Sequence, residues 1–170
     1  MNTFDAGAVA IGLVACLTDV TSRRVPNVLT ATAIAVGVFA HTLLPEGRGF
    51  VAALLGFGAG LAVFFPLFAL GGLGGGDVKL MAALGTWIGW SPIVWTALYG
   101  AVAGGVIALG VGFAHGYLRQ AFSNIGGLLL FWSVQGVRPM PALTLEEGHG
   151  PRLPYAIPIF VGLVTTLWRH

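Results

Sequence analysis

Residues 50–70, FVAALLGFGAGLAVFFPLFAL, run without a single ionisable side chain. Wound as a helix at about 1.5 Å per residue, such a run matches the roughly 30 Å thickness of a bilayer's hydrocarbon core. Five further apolar runs flank it, at residues 6–20, 28–44, 78–90, 93–114 and 153–168, and each is a candidate span. The run at 78–90 is short, which predicts a tilted or partly sunken helix. Charged residues make up 8% of the 170, against about 25% in an ordinary soluble domain. Mean hydropathy is +0.89, more apolar surface than a core of this size hides. The expected fold is all-α: a polytopic membrane bundle of about six transmembrane helices. No polar stretch is long enough for a second folded unit, so residues 1–170 form one integral-membrane domain.

The net charge of +2 does not point to nucleic acid, because the basic residues stand singly or in one pair and form no patch. They orient the chain instead. If the first, third and fifth breaks between runs face the cytoplasm, that side holds Arg23, Arg24, Lys79, Arg119, Arg138 and Arg152, and the other holds Arg48 and Arg169. This asymmetry obeys the positive-inside rule and puts both termini outside the cytoplasm. The segment before the first run carries Asp5 and no Lys or Arg, so the expectation is a retained first helix rather than a cleaved signal peptide. Cys16 is the single cysteine; it excludes an internal disulfide and a cysteine-cluster metal site, and packing in the core is its expected role.

Residues 116–152 are expected to form a cytoplasmic loop. Within them, 121–137 has an apolar centre too short for a comfortable span and interrupted by Gly126 and Gly127; a helix lying on the cytoplasmic surface is expected, in preference to a further crossing. Residues 139–151, with Glu146 and Glu147, read as exposed. Small residues four apart, at Gly56 and Gly60 and again at Gly100, Gly104, Ala108, Gly112 and Gly116, predict smooth seams where helices pack closely.

Against this apolar background two carboxyls stand out, Asp19 and Asp77. A carboxylate at or near a bilayer costs about 3 kcal/mol on insertion scales, so it is rarely carried without a use. The topology brings both to the cytoplasmic ends of their helices, where they form a pair. Each also has an ordinary explanation: Asp19 as an ion-pair partner of Arg23 or Arg24, Asp77 as the N-cap of its helix. The run Gly71–Gly76 before Asp77 is not a phosphate loop, because Asp77 and Val78 stand where Lys and Ser or Thr are required. Its glycines free the backbone to take positive φ and to let another chain approach. His41, His115, His149 and His170 are dispersed with no ligand spacing; no metal or cofactor is expected, and surface or interfacial roles are expected for all four.

Asp19 followed by Arg23-Arg24-Val25-Pro26-Asn27 resembles the first-aspartate segment of the type IV prepilin peptidases. Gly74-Gly75-Gly76-Asp77, continued by Val78-Lys79-Leu80-Met81, is similar to that family's G-x-G-D motif, and Pro154-Tyr155-Ala156-Ile157-Pro158 is similar to its proline-containing approach to the last helix. The resemblance implies an aspartic endopeptidase of the bacterial inner membrane. Its substrates would be prepilin or pseudopilin proteins, cut at the cytoplasmic face between a short basic leader and an apolar segment. Asp19 and Asp77 would be the catalytic pair, with Gly74, Gly76, Lys79, Pro26 and Asn27 around the substrate approach. With one cysteine and no inserted cytoplasmic domain, the chain resembles the compact Flp/Tad pilus form, for which methyl transfer is not expected. The chemistry fits independently. Neighbouring carboxyls do not readily both ionise, so one takes a proton from water while its protonated partner polarises the scissile carbonyl. A small proton-coupled transporter using the same aspartates as a relay is the alternative; it predicts carboxyls near the membrane midplane.

Overall fold

The computed structural model describes residues 2–114, 116, 118–138 and 154–169. Among these residues the chain is all-helical, with no strands: α1 (Thr3–Ser22), α2 (Asn27–Leu43), α3 (Phe50–Ala69), α4 (Gly75–Ile88), α5 (Trp90–Ala114), α6 (Leu118–Gln135) and α7 (Ala156–Arg169). The helices α1, α3 and α5 are long and apolar enough to cross a membrane. At 17 and 14 residues, α2 and α7 are shorter but also apolar.

α4 is the axis of the bundle. Its 14 residues rise only about 21 Å, and Leu80, Met81 and Leu84 in its middle are fully enclosed. Packing against α1, α2, α3 and α5 surrounds it. The outer helices present large apolar side chains outward, including Leu17, Phe39, Val106 and Phe113. In water this would be an aggregating surface; against lipid it is the expected one.

Close packing rests on the predicted glycines. A Cβ on Gly56 would lie 2.0 Å from the Gly85 carbonyl oxygen, and one on Gly60 would lie 2.2 Å from the Met81 oxygen. α3 and α4 therefore touch backbone to backbone. On α5, Gly100 meets the Pro158 carbonyl and Gly162 of α7, and Gly104 faces the Pro158 ring. A buried hydrogen bond between the Thr96 and Thr166 hydroxyls, 3.2 Å long, joins the same two helices. Further along that ridge Ala108 is exposed, and Gly116 lies beyond the helix end at φ +72°. Against α7 the ridge is used over its first half only.

Several boundaries differ from the sequence expectation. The break after α4 falls at Gly89, φ +91°, rather than at Ser91 and Pro92. Pro92 sits in the first turn of α5, where a missing N–H leaves no helical bond unmade. α6 runs without interruption through Gly126 and Gly127, because glycine weakens a helix by only about 1 kcal/mol. Within the bundle α6 packs chiefly on the end of α5, where Leu118 meets Gly112. Its Leu129, Leu130 and Val134 remain exposed.

His41 corrects the expectation that every histidine lies at a surface or interface. It is 4% exposed and stacks on Phe4 with ring centroids 4.0 Å apart. Nδ1 accepts the Arg48 backbone N–H at 3.2 Å, which leaves Nε2 to donate to the Trp87 carbonyl at 3.1 Å. Both ring nitrogens are satisfied by backbone, so the side chain ties the α2–α3 turn to the end of α4. Removing it in His41→Ala is expected to cost about 2–4 kcal/mol, from the lost ring packing and two orphaned backbone groups. A thermal melt of the detergent-purified variant reads this directly. The other histidines, His115, His149 and His170, lie outside the described residues, as do Glu146, Glu147 and Arg152.

Candidate active site

Asp19 lies one turn before the end of α1. The helix stops at Arg23, which adopts the left-handed conformation (φ 51°, ψ 33°) and donates its N–H to the Asp19 carbonyl at 2.8 Å. A side chain other than glycine in that region costs about 1 kcal/mol, and the sharp stop turns the chain back across the aspartate. Val25 and Pro26 then lead into α2, with Pro26 as its N-cap residue.

Asp77 enters from the opposite side. The glycine-rich segment takes positive φ at Gly71 only (78°), while Gly74, at φ −77°, is the N-cap of α4. This displaces Asp77 from the N-cap itself to the third helical position. From there its carboxyl reaches back to accept a hydrogen bond from the Gly74 backbone, the returning half of a capping box. Gly74 is tight against that carboxyl: a Cβ there would lie 3.1 Å from Oδ2 of Asp77. Gly76 packs on Val25, whose own Cβ would lie 3.4 Å from a Cβ added at Gly76.

Both carboxyls line one cavity of about 410 Å³, together with Arg23, Arg24, Val25, Pro26, Asn27, Gly74 and Gly76. Asp19 and Asp77 are 8% and 9% exposed, and the Asp19 charge acts on Asp77 across the space between them. The partner of the Asp19 carboxyl is the Ala156 backbone N–H, at 3.1 Å, rather than Arg23 or Arg24. Lys79 is not part of the lining. Its Nζ donates to Oδ1 of Asn27 at 2.9 Å, pinning α4 to the start of α2 at the cavity rim.

Two residues near the pair were not assigned to the site from the sequence. Cys16, one turn before Asp19, donates its thiol to the Ala156 carbonyl at 3.1 Å, so its role is more specific than filling the core. Tyr155, in the turn before α7, is half-buried, and burial together with the Asp77 charge holds its phenol above the usual range. It therefore keeps its proton. Only the proline-rich lead-in to α7 hinted at either contact.

The sequence model of the type IV leader peptidase family matches residues 7–109, from α1 through most of α5. The chain belongs to the type IV leader peptidase family. Two curated relatives, both prepilin leader peptidase/N-methyltransferases, come from Burkholderia pseudomallei strains 1026b and K96243. Each is 45% identical over 49 residues, a stretch covering 29% of this chain and 16% of the relative. No solved structure matches the chain.

The matched region contains both aspartates and the whole cavity lining. The transporter alternative gains nothing from the geometry, since both carboxyls sit in the end turns of their helices rather than midway. Gly74→Ala is expected to lower peptide cleavage about tenfold or more, because the added methyl displaces the Asp77 carboxyl from its place in the pair. At the N-cap alanine is a poorer residue than glycine, so the start of α4 itself loses a little. The effect should therefore appear chiefly in turnover of the purified variant, with only a small fall in its melting temperature.

Proposed function

We propose that this chain is an aspartic endopeptidase that removes the short basic leader of prepilin-like proteins at the cytoplasmic face of the bacterial inner membrane. One observation carries the reading: Asp19 from α1 and Asp77 from α4, far apart in sequence, line a single cavity. One carboxylate takes a proton from a water molecule as the water attacks the scissile carbonyl carbon. The other, protonated, donates to the carbonyl oxygen as it becomes an oxyanion, and the proton then passes to the leaving amine. Family membership supports a leader peptide as substrate. The proposal takes up the peptidase activity alone and not the methyl transfer in the relatives' name, since the chain spans 16% of their length.

The accompanying topology is six membrane crossings by α1–α5 and α7, with α6 on the cytoplasmic surface and both termini outside. In favour are the placement of the basic residues and the exposed apolar side chains of α6. Gly74, Gly76, Pro26 and Asn27 would flank the approaching peptide, and Lys79 would hold the rim through Asn27. The test is incubation of the detergent-purified protein with a candidate prepilin, with fragment masses read by mass spectrometry. The expected product lacks the basic leader. A substrate left intact, while a known leader peptidase cuts it under the same conditions, contradicts the proposal.

A further inference from the structure

The backbone of α7 reaches the candidate site at Ala156. This residue is wholly buried, and both of its polar backbone atoms are held by α1: the N–H by Oδ2 of Asp19 and the carbonyl by the Cys16 thiol, each at 3.1 Å. Cys16 and Asp19, three apart, lie on one helical face, so together they fix Ala156 in both directions along the chain.

The arrangement is unusual for a helix start. The first amides of α7 have no partner within their own helix, and such amides are ordinarily capped by the side chain just before the helix. Neither Pro154 nor Tyr155 supplies a short cap of this kind. The acceptor comes instead from 137 positions away, and it is one member of the proposed catalytic pair. The two carboxyls are thus each tied to a backbone amide, Asp77 to Gly74 at the start of its own helix and Asp19 to Ala156 of a different one.

We propose that Ala156 is a positioning residue: its backbone N–H orients the Asp19 carboxyl within the cavity shared with Asp77. This rests on the peptidase reading. The side chain at 156 contributes nothing to the effect and the amide contributes all of it. α7 therefore belongs to the reacting centre although it supplies no reacting side chain, and the family match, which ends at residue 109, does not reach it.

The substitutions that separate amide from side chain are Ala156→Gly, which keeps the N–H, and Ala156→Pro, which removes it. Position 156 is the first residue of α7, where proline's fixed φ suits a helix and its lack of an N–H interrupts no helical bond. The full chain, purified in detergent, is assayed on a synthetic peptide with a basic leader followed by an apolar segment. Ala156→Gly is expected within about twofold of the parent, and Ala156→Pro is expected to lose about 30-fold or more in kcat with KM unchanged, as for a reacting group displaced by a fraction of an ångström. A folded Ala156→Pro variant that turns over at the parent rate overturns the proposal, as does an equal loss in Ala156→Gly.

Should Ala156→Pro fail to fold, the amide resonance of Ala156 in the 15N-labelled parent, assigned by its absence from Ala156→Gly, decides. It is expected to move, and to exchange with solvent faster, in Asp19→Ala; an unmoved resonance overturns the contact. A parent that leaves the peptide intact counts against the peptidase reading, and the resonance then decides the Ala156 contact by itself.

Discussion

Asp19→Asn and Asp77→Asn are each expected to reduce leader cleavage about a thousandfold or more, with the protein still folded and inserted. Asparagine has the size and shape of aspartate, and its amide oxygen still accepts a backbone N–H. The Ala156 bond to position 19 and the Gly74 bond to position 77 therefore survive. What disappears is the carboxyl proton. An amide neither takes a proton from water nor gives one to the developing oxyanion, so one substitution stops both halves of the exchange. If the aspartates served only as caps at helix ends, the same substitutions would leave cleavage intact and shift the melting temperature slightly. Rates and melting curves on the same preparations separate the two outcomes, and normal cleavage by either variant refutes the assignment.

Gly56→Leu is expected to destroy the fold. The first added carbon would already lie 2.0 Å from the Gly85 oxygen, and the relation is reciprocal, since a Cβ on Gly85 would lie 2.1 Å from the Gly56 oxygen. Overpacked cores ordinarily lose about 1–3 kcal/mol because neighbouring side chains give way. Here the obstructing atoms are backbone on both sides, so α3 and α4 must separate, and the central helix that carries Asp77 moves with them. Loss of folded protein on size-exclusion chromatography is the expected readout. Gly58→Leu on the same helix faces open space and serves as the control, expected to behave as the parent. A stable, active Gly56→Leu protein would mean that the α3–α4 contact is not as close as described.

How far the sequence leads is visible at particular residues. Asp19 and Asp77 were legible because charge is so sparse in this chain that a carboxyl in an apolar run demands a reason, and the structure places both in one cavity. Gly56 and Gly60 were legible as a seam from spacing alone. The ridge at Gly100–Gly116 was legible only in part, because sequence shows a smooth face without showing how long the neighbouring helix is. His41 was misread for a related reason: hydropathy treats imidazole as a surface group, while here two backbone groups satisfy it inside the bundle. Trp87 carried no signal at all. Its indole N–H finds the Ala33 carbonyl at 2.8 Å, and its ring occupies the space that glycine leaves at positions 7 and 37. Ala156 was illegible in principle, since its contribution is a backbone amide and any non-proline residue supplies one.

The end of the bundle that carries Asp19 and Asp77 is thus built around a turn, a glycine-capped helix and the start of α7. The most direct test of that arrangement, and of the face on which it occurs, is labelling of Asp19→Cys and Asp77→Cys, each combined with Cys16→Ala, by a membrane-impermeant maleimide in right-side-out and inside-out vesicles. The account predicts that both positions react only when the cytoplasmic face is exposed, since both line one water-reachable cavity. Reaction of the two positions from opposite faces would contradict it.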